Sequence, residues 1–404
     1  MTLNGSPEDW IPAELKRLHQ QALERRLSVS GAAGGVFMRD GRRVLNFASN
    51  DYLNLARHPE VVANSEAALR RYGAGAGSSR LLAGTFPCHA ELEERLARFK
   101  GYPAALVLGS GFLANLAAVT ALVGRGDHVF LDRLCHASLV DAAIMSRATV
   151  HRFRHNDPNH LAELLATAGK GRRLVVTESV FSMDGDLAPL RELAAVAKTA
   201  GTMLLVDEAH ATGVFGPGGA GLVREFGVES SVTISMGTLS KALGGYGGFL
   251  ACSEPVRDWL IHCARAFIFT TALPPAACGA AWGALELLER NPDLGRHLLA
   301  RADVFREQLR ALGLETGASV TPIIPVLFGE NERALRVAAA LRERGILAPA
   351  IRPPTVPAGT ARLRLSVTLA HPEEELAWAA AALAEVVRGE SRPRALVSNL
   401  WPNV

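Results

Sequence analysis

Two stretches of the chain decide its fold: LLVDEAHATG at residues 204–213 and SMGTLSKALGG at residues 235–245. Each opens with apolar residues of strand length and then turns into small and polar residues. Helical stretches such as LAPLRELAAVAKTAG lie between several runs of this kind. Strands that alternate with helices, and that are apolar almost throughout, predict an α/β fold with a mostly parallel, doubly wound sheet. The apolar runs that predict its strands are HVFLD, RLVVTE, MLLVDE, VTISM and GFLAC.

The regions before and after this alternating pattern differ from it in their predicted secondary structure. Residues 1–48 are predicted to form a helical N-terminal arm, and residues 49–288 a large ligand-binding domain. Residues 289–404 are predicted to form a smaller α+β C-terminal domain, whose last residues, 391–404, are expected to be a tail. In the large domain, the helix HAELEERLARFKG should end at Gly101, because glycine readily adopts a left-handed conformation there.

The composition is that of an ordinary globular protein. Of the 404 residues, 49% are hydrophobic and 21% are charged, and the net charge is only +3. Because both signs are interspersed, we expect neither nucleic acid nor a membrane surface as a partner. The uncharged stretch 266–285 is interrupted by Pro274 and Pro275, so we expect it to lie in the core or at a subunit interface rather than to span a membrane.

The cysteines and the N-terminus bear on the compartment. The five cysteines are odd in number, and no two have C-x-x-C spacing. They are interpreted as reduced core residues, so neither a disulfide framework nor a metal site is predicted. The first residues carry early acidic side chains and lack the apolar segment of a secretory signal. Together these features predict a cytoplasmic protein.

The two deciding stretches place reactive side chains after predicted strands, where ligands of open α/β sheets bind. Asp207 could bind a metal, cap a helix or hold a ring nitrogen, whereas Lys241 is either a solvated charge or an imine-forming amine. Thr238 and Ser240 add hydroxyl groups suited to a phosphate. A carboxylate that keeps a pyridine nitrogen protonated, together with a lysine that forms a Schiff base, predicts pyridoxal 5′-phosphate.

Two further turns are compatible with such a cofactor. Gly109, Ser110 and Gly111 form either a plain tight turn or a helix N-terminus whose N–H groups face a phosphate. His136 follows the run HVFLD and is either structural or placed over the cofactor ring. In the second case it could stack on the ring and transfer protons near neutral pH.

Several motifs extend this picture to most of the chain. Together, across residues 45–375, they resemble the α-oxoamine synthase family of fold-type I pyridoxal phosphate enzymes. Members of that family condense an amino acid with an acyl thioester, lose carbon dioxide and release an aminoketone. The resemblance also implies a homodimer with shared active sites. The motifs are NFASNDYLNLARHP, GSSRLLAGT with the following His89, VVTESVFSMDGDLAPL, VDEAHATGVFG and GTLSKALGG.

The resemblance implies a role for each matching residue. Lys241, Asp207 and His136 would be catalytic: the lysine carries the cofactor, the aspartate holds its ring nitrogen and the histidine stacks on its ring. His210 would hydrogen-bond the phenolic oxygen of the ring, with Ser182 close by. Backbone groups after Ser110 would bind the phosphate, and the threonine pair of FIFTTALPP would reach the phosphate of the neighbouring subunit. The implied cofactor-binding set is Lys241, Gly111, Phe112, His136, Ser182, Asp207, His210, Thr238, Thr270 and Thr271.

The segment IRPPTVP at residues 351–357 discriminates within the family. With Arg352 and Thr355, it is similar to the member that joins L-alanine to a pimeloyl thioester in biotin biosynthesis. The expected substrates are therefore L-alanine and either pimeloyl-CoA or a pimeloyl-carrier protein. Two alternatives stay open: another α-oxoamine synthase that uses glycine or serine, and a cofactor-binding scaffold without turnover. The intact set of Lys241, Asp207, His136 and His210 argues against the scaffold.

The carboxylate of the amino acid substrate needs a cationic partner. Arg362 and Arg364 fall on one face of a predicted strand by the period of two. Arg364 is the first candidate for a bidentate clamp and Arg362 the second. Asn50, in SNDYL, resembles the family residue near that carboxylate, and Arg25 or Arg26 would stand for the family's arginine in the N-terminal arm.

Overall fold

The computed structural model describes residues 6–25, 27, 29, 31 and 34–390. Arg26 and the predicted tail therefore lie outside the described residues. The N-terminal arm begins with a helix, as predicted, and continues into an antiparallel pair of strands. These elements are α1 (Trp10–Gln20), β1 (Val36–Arg39) and β2 (Arg42–Asn46).

The large domain is built on one sheet of seven strands, which confirms the predicted fold class. The last strand in sequence lies between the first and the sixth strands and is antiparallel to both. All other neighbouring strands are parallel. In chain order the strands are β3 (Ala104–Leu108), β4 (His128–Asp132), β5 (Thr149–Phe153), β6 (Arg173–Glu178), β7 (Met203–Asp207), β8 (Ile234–Thr238) and β9 (Gly248–Cys252). Their spatial order is β3-β9-β8-β7-β6-β4-β5.

Helices cover both faces of this sheet, so successive strand residues enter opposite cores. In β6, Val175 packs into one core, and Leu174 and Val176 pack into the other. One helix ends as predicted, with Gly101 in the left-handed conformation. The helices of the large domain are α2 (Pro59–Tyr72), α3 (Pro87–Lys100), α4 (Gly111–Leu122), α5 (Ala137–Ser146), α6 (Pro158–Thr167), α7 (Leu190–Thr199), α8 (Leu222–Phe226), α9 (Glu254–Cys263), α10 (Arg265–Ile268) and α11 (Pro275–Arg290).

The C-terminal part contains a second, smaller sheet of three strands with helices beside it. Another short strand of this part, β11 (Ile346–Leu347), pairs in parallel with β2, so the N-terminal arm and the C-terminal part share a further three-stranded sheet. The predicted domain boundaries at 48/49 and 288/289 stay predictions. The elements of this part are α12 (Leu294–Ala311), β10 (Ile323–Gly329), α13 (Asn331–Glu343), β11 (Ile346–Leu347), β12 (Ala350–Ile351), β13 (Ala361–Ser366) and α14 (Glu373–Glu390).

The uncharged stretch 266–285 belongs to α10 and α11 and to the turn between them. Its Ala281 and Leu285 are fully buried, and α11 packs closely against α2, where a Cβ at Gly279 would lie 2.3 Å from the carbonyl oxygen of Asn64. None of the helices in the described ranges has both the length and the apolarity that crossing a bilayer requires.

The five cysteines are free thiols, as expected. Cys135, Cys252 and Cys278 are buried, whereas Cys88 and Cys263 are only partly buried. The prediction that they lie in the core therefore holds for the first three.

Candidate active site

The carboxyl ends of the parallel strands bring the predicted residues to one edge of the sheet. Glu178 and Asp207, the last residues of β6 and β7, are paired across the two strands. Thr238 ends β8 and pairs with Gly248 of β9, which in turn pairs with Leu108 at the end of β3. The turn after β3, the loop after β8 and the end of β7 therefore meet around one cleft.

Lys241 lies in the loop after β8, and its amine is unusually easy to deprotonate. Its Nζ atom is 2.8 Å from Nε2 of His210. Burial lowers the pKa of Lys241 to about 8, although the carboxylates of Asp207 and Glu178 oppose this change; the charge of Arg364 adds to the lowering. A lysine with such a pKa has a substantial neutral fraction near physiological pH, which is what a nucleophile or a base needs.

His210 connects this lysine to residues from distant parts of the chain. Its Nδ1 atom is 2.7 Å from the hydroxyl of Tyr52, and that hydroxyl lies 3.5 Å from Nη2 of Arg364. Burial, together with the nearby charges of Lys241 and Arg364, holds the pKa of His210 well below its usual range, so the ring is neutral. Tyr52 lies within the quoted SNDYL motif, yet its part in this chain of hydrogen bonds was not predicted.

Asp207 is buried and held at both carboxylate oxygens. Oδ1 accepts a hydrogen bond of 2.8 Å from the backbone N–H of Ala209, and Oδ2 accepts one of 2.7 Å from the side-chain amide of Asn115. The first bond is of the capping type that sequence left open as an alternative. The second comes from α4, and Asn115 was not predicted.

His136 lies between the end of β4 and the first turn of α5. Its backbone N–H donates to the buried carboxyl of Glu178, and its Nδ1 accepts from the backbone N–H of Ser138 at 3.2 Å. The residue as a whole is exposed. Partial burial of the ring lowers the pKa of His136; Asp207 opposes this effect and Lys241 adds to it. Burial also raises the pKa of Glu178 well above its usual range, with Asp207 adding to this effect.

The N-terminus of α4 faces the hydroxyl of Thr238. A Cβ at Gly111 would lie 3.8 Å from Oγ1 of Thr238, and a Cβ at Gly248 would lie 2.7 Å from the backbone nitrogen of Gly111. Glycine at 248 therefore permits the close approach of these two segments. Ser110 caps the helix by accepting from the N–H of Leu113. The positive end of a helix beside a hydroxyl is an arrangement that binds phosphate.

On the other side of Lys241, Arg364 joins three segments. Its guanidinium donates to the backbone carbonyl of Ser182 at 2.6 Å, to Oδ1 of Asn50 at 3.2 Å and to Oγ of Ser366 at 2.9 Å. Ser182, Asn50 and Arg364 thus lie close together, and their predicted roles stay predictions. Arg362, the second candidate for the carboxylate clamp, forms an ion pair with Asp184.

The residues expected near the acyl substrate lie at the arm. Arg352 donates to the backbone carbonyls of Ala22 and Glu24, and the exposed Arg25 is close enough for its charge to contribute to lowering the pKa of Arg352, after burial. Thr355 is exposed, and its backbone N–H bonds to the carbonyl of Arg352 at 3.1 Å. The side chain of Arg352 is thus joined to the arm, and the part of Arg352, Thr355 and Arg25 in substrate binding stays a prediction.

The two threonines predicted to reach a neighbouring subunit lie on a surface segment. Thr271 pairs with Ser79 in an isolated antiparallel bridge, and its side chain is exposed. Thr270 is partly buried and follows Phe269, whose ring is 70% exposed.

Among the described residues, one group has the spacing to hold a metal ion: Cys88, His89 and Cys278. Both nitrogens of His89 already have partners, since Nδ1 accepts from the N–H of Phe86 at 3.0 Å and Nε2 is 2.7 Å from the carbonyl oxygen of Leu273. We therefore assign this histidine to the joint between α3 and the segment before α11.

The sequence model of the aminotransferase class I and II family matches residues 42–383. The chain belongs to this family. Among curated members, an 8-amino-7-oxononanoate synthase from Anaeromyxobacter dehalogenans strain 2CP-1 is 50% identical over 380 residues, or 94% of this chain and 96% of that protein.

Solved structures of family members have the same fold. Serine palmitoyltransferase from S. paucimobilis, with a bound PLP–myriocin aldimine, has a TM-score of 0.89 at 31% identity, covering 95% of this chain and 98% of that one. An 8-amino-7-oxononanoate synthase from Francisella tularensis has a TM-score of 0.75 at 30% identity, covering 86% and 99%. The predicted family and the fold-type I architecture are confirmed.

The donor set around Lys241 fits the cofactor that the sequence predicts. The N-terminus of α4 offers N–H donors to a phosphate, and the hydroxyl of Thr238, which donates to the carbonyl of Gly247 at 2.9 Å, lies beside it. Asp207 offers a carboxylate to a ring nitrogen. Lys241 lies in the loop that follows Thr238, and its Nζ atom contacts His210. An anionic end, a basic nitrogen, an aldehyde and a phenolic oxygen are the features of pyridoxal 5′-phosphate that such a set would recognise.

Proposed function

We propose that this chain is a pyridoxal 5′-phosphate-dependent 8-amino-7-oxononanoate synthase. It condenses L-alanine with a pimeloyl thioester, giving 8-amino-7-oxononanoate, carbon dioxide and the free thiol carrier, a reaction of biotin biosynthesis. The observation that carries the proposal is the amine of Lys241, whose pKa is lowered to about 8 and whose Nζ lies 2.8 Å from His210. The 50% identity to a synthase of that name supports the choice of reaction.

The residues of the cleft divide the work. When bound, the cofactor supplies an electron sink for negative charge on the carbon next to the amino group. Lys241 binds the cofactor covalently and, as a neutral amine, takes and returns the proton on the α-carbon of alanine. Asp207 keeps the ring nitrogen protonated, His210 hydrogen-bonds the phenolic oxygen and His136 covers the ring face.

The substrate is oriented by the opposite wall. Arg364, supported by Asn50, binds the carboxylate of alanine and holds it until it leaves as carbon dioxide. Arg352 and Thr355 act on the acyl side, where Arg352 also fixes the arm through its bonds to backbone carbonyls. Arg25 extends this basic surface toward the acyl carrier, which is either coenzyme A or a carrier protein.

We also infer a cytoplasmic homodimer with shared active sites. Two exposed aromatic side chains adjoin residues expected at a phosphate: Phe112, 44% exposed, follows Gly111, and Phe269, 70% exposed, precedes Thr270. Exposed aromatic rings beside a binding site are typical of a surface that a partner covers. In the dimer, Thr270 and Thr271 reach the phosphate in the other subunit.

A second candidate is an α-oxoamine synthase that uses another amino acid. The serine palmitoyltransferase structure has a TM-score of 0.89, higher than the 0.75 of the Francisella tularensis synthase. The identity of 31% to the former, against 50% for the Anaeromyxobacter synthase, favours the alanine reaction.

Product formation from alanine, glycine and serine, each with pimeloyl-, acetyl-, succinyl- and palmitoyl-CoA, tests the proposal. Alanine with pimeloyl-CoA should be fastest. Glycine should be a poor substrate rather than an inert one, because a pocket for one methyl group discriminates by only about 1–3 kcal/mol. Faster turnover of serine with palmitoyl-CoA, or of glycine with the short acyl groups, would move the chain to another branch. No product with any pair would support the scaffold alternative.

A further inference from the structure

Asp207 and His136 are joined by a buried chain of hydrogen bonds through two side chains that have no role so far. The amide nitrogen of Asn115 lies 2.7 Å from Oδ2 of Asp207 and 2.9 Å from Oγ of Ser138. Oγ of Ser138 in turn lies 2.8 Å from Nδ1 of His136. Both connecting residues are 1% exposed.

The chemistry of the groups fixes the direction of every bond in this chain. The carboxylate of Asp207 can only accept, so the amide nitrogen of Asn115 must face it. The two hydrogens of that amide are then both used, one on Asp207 and one on Oγ of Ser138. The single hydroxyl proton of Ser138 remains for Nδ1 of His136. Nδ1 also accepts from the backbone N–H of Ser138.

The orientation of the Asn115 amide leaves one buried acceptor without a hydrogen bond. Its carbonyl oxygen Oδ1 is buried and has no hydrogen-bond partner among the residues that the structure describes. Turning the amide over would instead bring an acceptor against the carboxylate of Asp207. A buried unsatisfied acceptor is unfavourable, so the bonds to Asp207 and Ser138 must outweigh it.

We propose that Asn115 and Ser138 are positioning residues that hold His136 as the neutral tautomer protonated on Nε2 and tie it to Asp207. The imidazole then offers a hydrogen-bond donor to the cleft from Nε2, and its Nδ1 is closed to protons. The consequence for turnover rests on the proposed function, but the tautomer itself does not.

Several charged groups act on the same ring. Asp207 from β7 and Asp141 from α5 are acidic, and Lys241 from the loop after β8 is basic. Glu178 from β6 lies nearby and accepts from the backbone N–H of His136. Burial lowers the pKa of His136 against the attraction of Asp207 and Asp141. A hydroxyl that donates to Nδ1 stabilises the neutral ring further, in the same direction.

Nitrogen NMR of the cofactor-free protein with labelled histidines measures the tautomer directly. The His136 signals are assigned by their loss in His136→Asn. In the wild type, Nδ1 should show the shift of an unprotonated nitrogen and Nε2 that of a protonated one. A proton on Nδ1 at neutral pH, in either the other tautomer or the cation, would overturn the proposal.

Matched variants test whether both residues act through the chain. Ser138→Ala should raise the titration midpoint of His136 by roughly half to one pH unit, because one donor to Nδ1 is lost. Ser138→Thr, which keeps the hydroxyl, should restore the wild-type value. Ser146→Ala removes another buried hydroxyl of α5, which bonds to the carbonyl of Ala143, and should change nothing. Equal titration in Ser138→Ala and the wild type would contradict the assignment.

Asn115→Leu separates a joined chain from two independent contacts. If Asn115 acts through Ser138, this variant should also raise the His136 midpoint, although by less than Ser138→Ala. Thr120→Val, on the same helix, is its control, since the Thr120 hydroxyl bonds to the carbonyl of Leu116. A shift with Ser138→Ala but none with Asn115→Leu would break the chain at Asn115. The proposed function alone would be rejected if neither the wild type nor any variant turned over alanine while His136 of the wild type had the tautomer protonated on Nε2.

Discussion

The residues around Lys241 and the residues around Arg352 are held in place by different parts of the chain. Lys241, Asp207 and His136 follow the ends of strands in one sheet that is buried on both faces, and each bonds to another buried side chain or backbone group. Arg352 lies after a two-residue strand and bonds to backbone carbonyls of the N-terminal arm. We infer that the sheet positions the residues that act on the cofactor, whereas the N-terminal arm and the segment 351–357 position the substrate.

The largest expected effect is at the sheet. Lys241→Ala should abolish turnover and leave a folded protein, because no other group near the cleft supplies both the covalent link and the base. Turnover and circular dichroism should be compared with Lys198→Ala, which removes an exposed lysine of α7 and should have normal activity. Activity in Lys241→Ala above the background of the assay would contradict the assignment.

Asp207→Asn should still bind the cofactor but lose several orders of magnitude in rate. A neutral amide no longer keeps the ring nitrogen protonated, so the electron sink weakens. Single-turnover rates with alanine measure the effect, and Asp141→Asn, which removes an acidic group of α5 near His136, is the charge-matched control. Near-normal rates in Asp207→Asn would reduce Asp207 to the capping role that its bond to Ala209 also allows.

A smaller effect is expected at the arm. Arg352→Ala should raise the KM for pimeloyl thioester about tenfold or more, as for the loss of charged hydrogen bonds, while KM for alanine changes little. Arg342→Ala, at the exposed end of α13, is the matched control. An equal rise in both KM values would show that Arg352 supports the whole cleft rather than the acyl side, and the contrast between the two regions would fail.

The smallest expected effect concerns His155, whose ring contacts a carboxylate at the end of β4. His155 lies between Asp132 and Asp186, 3.0 Å and 2.8 Å away. Burial opposes the charge of the ring, but the two carboxylates outweigh it and raise the pKa of His155 to about 9. A raised histidine pKa stabilises the folded state fully below the unfolded value of 6.5, and this stabilisation is lost as pH rises through about 9.

His155→Gln should therefore lower the free energy of unfolding by about 1–2 kcal/mol at pH 6, because solvent around the partly exposed ring screens both ion pairs, and by much less above pH 9. Urea unfolding of the cofactor-free protein across this range measures the difference, with the exposed His262→Gln as control. A difference that is constant with pH would mean that the ring contributes packing and not charge.

The same contrast explains which parts of the fold and of the site could be predicted from the sequence. The quoted apolar runs predicted five of the seven strands of the sheet, and parallel strands necessarily bring Asp207, Lys241 and His136 to one edge. The strand β5 was missed because TVHRF is not an apolar run; its residues lie at the edge of the sheet. The direction of β9 was also not predicted, since an apolar run reveals burial but not orientation.

The supporting residues could not be predicted, because their partners are far away in sequence. Asn115 follows the turn at Gly109, Ser110 and Gly111 in sequence, but only the fold brings it to Asp207. Tyr52 reaches His210 and Arg364 in the same way. The period of two placed Arg362 beside Arg364 correctly, yet it could not reveal that Arg362 is paired with Asp184.

Mapping the cofactor on the protein tests the central claim most directly. The protein loaded with pyridoxal 5′-phosphate is treated with borohydride, which converts a Schiff base into a stable amine, and the peptides are then analysed by mass spectrometry. Our account predicts that the wild type carries the cofactor-derived mass on the peptide containing Lys241, that Lys198→Ala gives the same result and that Lys241→Ala carries no such mass. A label on another lysine, or a wild-type protein that binds the cofactor without any label, would contradict it.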